Sequence, residues 1–291
     1  MRPKHPRRLQ PGQVSELVLA SRDGQSLTVI YETTELIEAP NWTPDGTALI
    51  YNGDGRLWRI SVDGRQGPAR IDTAPIEDLN NDHVLSPDGK WAYLSANDGH
   101  LYRVAATGGR PVRVSNDQDP ARGFRHYLHG ISPDGSELAY VGLETEGGRI
   151  VTRICTLPAT GGPDRVLTDG AWPVDGPDYA PDGAIWFNSE AASPGHAQIF
   201  RLQGSLTQIT RDERVNWFPH VAPDGGLVAY ISFPPGTQGH PADKDVIIRT
   251  MRPDGSEIRD IDRFNGGQGS INVPSWAPDG SAFAYVRYPL R

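Results

Sequence analysis

The sequence predicts an all-β fold: a six-bladed β-propeller with four antiparallel strands per blade. Three observations predict it. A Pro-Asp-Gly turn preceded by Thr, Ser or Ala recurs six times, four short strand-like runs accompany the copies, and the two ends supply complementary half-repeats. Fixed-period self-similarity of this length is the mark of a repeat architecture.

The turns are TPDG at 43–46, SPDG at 86–89, SPDG at 132–135, and APDG at 180–183, 222–225 and 277–280. Their prolines, Pro44, Pro87, Pro133, Pro181, Pro223 and Pro278, lie 43, 46, 48, 42 and 55 residues apart. Proline presets φ at the first corner, aspartate bonds the backbone ahead, and glycine takes the left-handed position. Each turn leads into an alternating, aromatic-rich run: TALIYN, KWAYLS, SELAYVG, AIWFNS, GLVAYIS and SAFAYVR. These read as second strands. Third strands follow as RLWRIS, HLYRVA, IVTRIC, QIFRLQ and VIIRTM, and fourth strands as PARIDT, PVRVSN, DRVLTD, LTQITR and EIRDID. Four short strands per repeat of about 45 residues describe a propeller blade.

The ends complete the count. Inner Pro-Asp-Gly turns alternate with outer turns at Gly24, Gly64, Gly108, Gly161, Gly204 and Gly255, beginning with an outer turn and finishing with an inner one. Residues 15–32 therefore supply the two outer strands of a blade whose inner strands are 273–289. Pairing them closes the ring and leaves neither hairpin with an open edge. A sandwich or solenoid could use the same turns, but a solenoid would not need half-units at both ends. The expected organisation is a basic flexible tail over 1–13 and one propeller over 14–291.

Composition narrows the classes. Net charge is -8 with both signs interspersed, which gives no general attraction to nucleic acid. The one cysteine, Cys155, allows no internal disulfide and fits a reducing compartment. No apolar run approaches the roughly 20 residues of a membrane helix, and the start MRPKHPRRLQPGQ lacks the apolar core of a secretory signal. The expectation is a cytoplasmic monomer as written, or a periplasmic one if a longer exported precursor exists. The basic start is read as a disordered tail or, alternatively, as a docking arm for an acidic partner.

The six [TSA]PDG turns, each followed by strands such as ELAYVG and LYRVAATGGRPVRVS, resemble the propeller repeats of the TolB family. The resemblance spans about residues 14–290 and also touches the propellers of prolyl oligopeptidases and tricorn-like proteases. The separate N-terminal α/β domain and secretory signal of TolB are missing, as is the G-x-S-x-G of the proteases. The resemblance therefore implies a bare propeller that binds a protein or peptide at the mouth of its central channel. No cofactor is required.

Candidate residues lie at the entry to each innermost strand, because those strands line the channel. The windows hold Glu38, Asn41, Asp82, His83, His126, His129, Asp175, Asp178, Asn216, His220 and Asn272, a polar rim suited to a peptide or a small polar ligand. His83, His129 and His220 could together hold a divalent metal. Lyases acting on oligogalacturonates use histidine-bound metal inside a related propeller, so a hydrolase or lyase site is the enzyme alternative. Trp172, Trp217 and Tyr127 are candidate exposed partner anchors. The recurring arginines Arg59, Arg103, Arg153, Arg201 and Arg249 read as surface pairs, and FPPGTQGHPADKD (233–245) as a mobile loop.

Overall fold

A computed structural model describes residues 7–291. Five four-stranded antiparallel sheets follow one another along the chain. Blade 1 is Ile37–Trp42, Ala48–Gly53, Arg56–Ser61 and Ala69–Ile71; blade 2 is Leu79–Leu85, Trp91–Ala96, Leu101–Ala105 and Val112–Arg113. Blade 3 is Arg125–Ile131, Glu137–Glu146, Arg149–Pro158 and Arg165–Val166; blade 4 is Val174–Tyr179, Ile185–Ser189, Gln198–Gln203 and Ser205–Gln208. Blade 5 is Val215–Val221, Val228–Phe233, Lys244–Met251 and Arg259–Gly266.

The sixth blade comes from both termini. Ala282–Arg287 pairs antiparallel with Ser15–Ser21, which pairs in turn with Leu27–Thr33. The innermost position is reduced to one bridge, Trp276 with Phe283. Strand alternation then fastens this blade to both neighbours. Leu17 packs with Ile37, Trp42 and Leu49 of blade 1, while Val18 packs with Val215 and Ile231 of blade 5. Within the blade, buried Glu16 of the N-terminal strand adds ion pairs to Arg287 and Arg291 of the C-terminal segment.

The turn chemistry behaves as the tripeptide implies. In the first copy Thr43 Oγ1 donates to Asp45 at 2.6 Å, the Thr47 amide donates to the same carboxylate at 3.0 Å, and Gly46 sits at φ 70°. Among the third-strand arginines, Arg153 pairs with Glu144 and Glu146, Arg249 with Asp212 and Asp260, and Arg201 with Asp182. Arg103 instead lies over the Trp91 ring, and Arg59 donates to Thr47.

Two segments differ from expectation. Residues 1–6 of the expected tail lie outside the described residues, but residues 7–13 lie against the propeller. Gln13 is buried and bridges to Leu290, and the Val14 amide donates to Pro289 at 3.0 Å. The loop 233–245 is also anchored, because Asp243 accepts from Gln10 and Gln13 and Pro241 O accepts from the Gln268 amide.

Candidate functional site

The inner strands start on one face of the ring, and each of the five complete blades breaks its ladder near that start. Register shifts fall between Glu38 and Asn41, Leu79 and His83, Leu128 and Gly130, Asp175 and Asp178, and Trp217 and His220. A bulge of this kind bends the strand and re-aims its side chains. In three blades the bulged residue precedes a proline and takes positive φ: Ala39 (54°), Gly176 (60°) and Phe218 (51°). For Ala39 and Phe218 that conformation costs on the order of 1 kcal/mol, which the surrounding sheet must offset.

The bulge fixes which positions meet. Six residues before the turn proline stand Glu38, Asn81, Tyr127, Asp175, Trp217 and Asn272. One residue earlier stand Ile37, Asn80, His126, Val174, Asn216 and Ile271, of which Ile37, Val174 and Ile271 are core. Of the first set Glu38 and Asn81 line the mouth, as does Asn80 of the second, whereas Ile37, His126, Val174, Asn216 and Ile271 of the second set are buried.

His129 organises the interior. Its Nδ1 lies 2.9 Å from the Asn272 carbonyl oxygen and its Nε2 lies 3.2 Å from Asp175 Oδ1. Blade 3 stands opposite blade 6 in a ring of six, so this one imidazole crosses the channel. Both nitrogens face acceptors, and the adjacent carboxylates Asp82 and Asp175 favour the cationic form of the ring. Burial opposes that charge, but Asp82 and Asp175 outweigh it and raise the His129 pKa to about 9. Burial raises the Asp82 pKa to about 6, against the attraction of His129. Burial would also raise that of Asp175, but hydrogen bonds from His129 and His240 hold it well below the usual carboxylate range.

His240 is the residue that sequence reasoning missed. Its loop folds inward, placing Nε2 3.3 Å from Asp175 Oδ2 and the ring against Trp217 and Phe218, with centroids 4.5 and 5.1 Å away. Trp217 is thereby buried and is not an exposed anchor. Tyr127 is half-buried against Val141, Val174 and Phe187, whereas Trp172 remains 43% exposed on the connection into blade 4.

The other candidates divide. His220 Nδ1 lies 2.9 Å from Asp178 Oδ2 and its Nε2 lies 2.9 Å from the Ile271 oxygen, joining blades 4, 5 and 6. His83 Nδ1 contacts Asn52 Oδ1 at 2.6 Å, its Nε2 is buried without a partner, and burial lowers its pKa to about 4. Asn41 is buried opposite Ile50. His126 is not on the rim: it contacts the Gly99 oxygen and packs beside Phe124 and Tyr140, between blades 2 and 3. Asn216 likewise ties Gln198 and Asp212 to Ser232. The metal trio does not converge. The nitrogens of His129 and His220 are engaged within the protein, and among the described residues no group of three or more His, Cys, Asp or Glu could hold a metal ion.

A cavity of about 610 Å³ opens over blades 1 and 2 on this face. Amides line it (Asn52, Asn80, Asn81, Asn97 and Gln268), and the Asn81 Nδ2 is buried without a partner. Its acidic groups are Glu35, Glu38 and Asp54, and its cationic ones are Arg7 and Arg8.

Fold and site together define a closed six-bladed propeller with a polar, partly covered mouth and a channel bridged by the His129 imidazole. No protein-family model matches the chain. The uncharacterized protein Atu1656 of Agrobacterium fabrum is 38% identical over 272 residues, spanning 91% of this chain and 89% of that one. A solved Agrobacterium tumefaciens structure that bears the provisional name TolB is 36% identical, with a TM-score of 0.87 over 95% of this chain and 99% of its own. The Tol-Pal system protein TolB of Francisella tularensis subsp. tularensis is 26% identical over 92% of this chain, which spans 60% of that protein. The chain belongs to the TolB-like family of six-bladed β-propellers. No helix among the described residues is long and apolar enough to cross a membrane.

Proposed function

We propose that the chain is a non-catalytic binding module that takes a protein or peptide partner at the channel mouth. The observation that carries this reading is the amide- and carboxylate-lined cavity of about 610 Å³ on the face where the inner strands begin. Beneath that face His129 bridges blade 3 to blade 6, so a ligand meets a floor rather than a tunnel. The imidazoles of His129 and His220 are committed to structural partners and are poorly placed to act as bases. The Francisella relative is a Tol-Pal system protein, a name that agrees with work among other proteins. Exposed Trp172 offers an aromatic anchor at the edge of the same face.

A photo-reactive residue tests this in the native host. Placed at Glu35 or Asp54 on the mouth, it should give a discrete adduct that Trp172→Ala weakens. Placed at Asp88 or Asp134, in turns on the opposite face, it should give none. Adducts from the turn face alone would contradict the assignment.

A further inference from the structure

We infer that the mouth carries an arginine-recognition seat, which the chain's own Arg7 fills and for which an arginine-bearing partner segment competes. The inference deepens the proposed function and rests on the mouth being a binding surface.

The seat has three walls. The Arg7 Cζ lies 4.0 Å over the Tyr288 ring. Its Nη1 lies 3.0 Å from Glu38 Oε1 and also donates to the Gln268 carbonyl. Two walls have partners besides Arg7, and the third stands on a strand. Tyr288 is fully buried and its hydroxyl donates to the Ile37 oxygen at 2.9 Å. Glu38 stands on the inner strand of blade 1, and the Gln268 amide donates to Pro241. An aromatic face, a carboxylate and a carbonyl suit a planar, delocalised guanidinium better than a compact ammonium.

Two observations show that the seat is suited to an exchangeable occupant. First, the fit of Arg7 is incomplete, because its Nη2 is buried without a hydrogen-bond partner. The segment around it is an outer layer: Leu9 packs on the core and Gln13 is buried, but Arg8, Gln10, Pro11 and Gly12 are exposed. Second, the charge around the cavity is divided by origin. Its two cationic lining residues, Arg7 and Arg8, both come from this segment, whereas the lining charges contributed by the blades, Glu35, Glu38 and Asp54, are all acidic. With the segment lifted, the mouth is an acidic, amide-lined cavity with an empty guanidinium seat. Charge complementarity therefore selects a cationic, arginine-bearing peptide, and the cis segment acts as its competitor.

The test uses the full chain and N-acetyl-argininamide, with N-acetyl-lysinamide as the control. Arg7→Ala should bind argininamide at least tenfold tighter than the wild type, read by calorimetry. Its melting temperature should rise with argininamide and not with lysinamide. Adding Glu38→Gln to Arg7→Ala should abolish both effects, with circular dichroism confirming that each variant is folded. Arg7→Lys, which keeps the charge without the planar fork, should also admit argininamide and guards against an unfolded alanine variant. Equal binding by wild type and Arg7→Ala, equal response to both amides, or binding that survives Glu38→Gln would each overturn the seat. A mouth photo-adduct without argininamide binding sinks the seat and leaves the mouth reading intact; argininamide binding without a mouth adduct does the reverse.

Discussion

Replacing Asp175 with Asn should lower stability at pH 7 by about 3 kcal/mol. Removing one partner from a buried pair leaves the other charge uncompensated, at a cost of roughly 3–5 kcal/mol. The lower end applies because the Asp175 side chain is 23% exposed while that of His129 is only 3% exposed. In a chain of 291 residues that should lower Tm by about 5 °C. The carboxylate also holds His240, so the loop that covers Trp217 should loosen and become more open to proteolysis. The pH dependence carries the sign. The folded pKa of His129 is raised from 6.5 to about 9, so its stabilisation is complete below about pH 6.5 and is lost as pH rises through about 9. Wild-type Tm should therefore fall over that window, and the deficit of Asp175→Asn should shrink with it. Parallel melting curves at pH 6.5 and 9.5, separated by a constant gap, would contradict this.

Leu17→Ala should have an effect of similar size for a different reason. Leu17 is fully buried where the N-terminal strand meets blade 1. Truncating a buried leucine costs about 2–5 kcal/mol. Leu27, on the outer strand of the same blade, is 40% exposed, and its truncation should cost less than about 0.5 kcal/mol. Chemical denaturation of the two variants decides the matter. A loss at Leu17 no larger than that at Leu27 would mean that the N-terminal strand does not close the ring.

The ring itself was legible because its signal is repeated. Six turns fix six registers, and the half-repeats at the ends have one economical partner, each other. The rim was legible only in part. Pooling every polar residue near the inner turns placed His126 and Asn216 on the rim, although both side chains are buried in the protein. Ile37, Val174 and Ile271 at the equivalent position in other blades were the available clue that this side is core. Trp217 does share the position of Glu38 and Asn81, but the loop bearing His240 covers it, and a long insertion gives no periodic signal of where it folds. Arg7 was hidden for the same reason. A Pro-broken basic start reads as a tail until the acid that it meets, Glu38, is placed beside it by blade closure.

The His129 imidazole spans the channel between Asn272 and Asp175. Nuclear magnetic resonance titration of His129 in the wild type, assigned by comparison with His129→Gln, measures its charge directly. The expected apparent pKa is near 9, dropping in Asp175→Asn. A His129 that titrates at 6.5 or below, unmoved by Asp175→Asn, would contradict it.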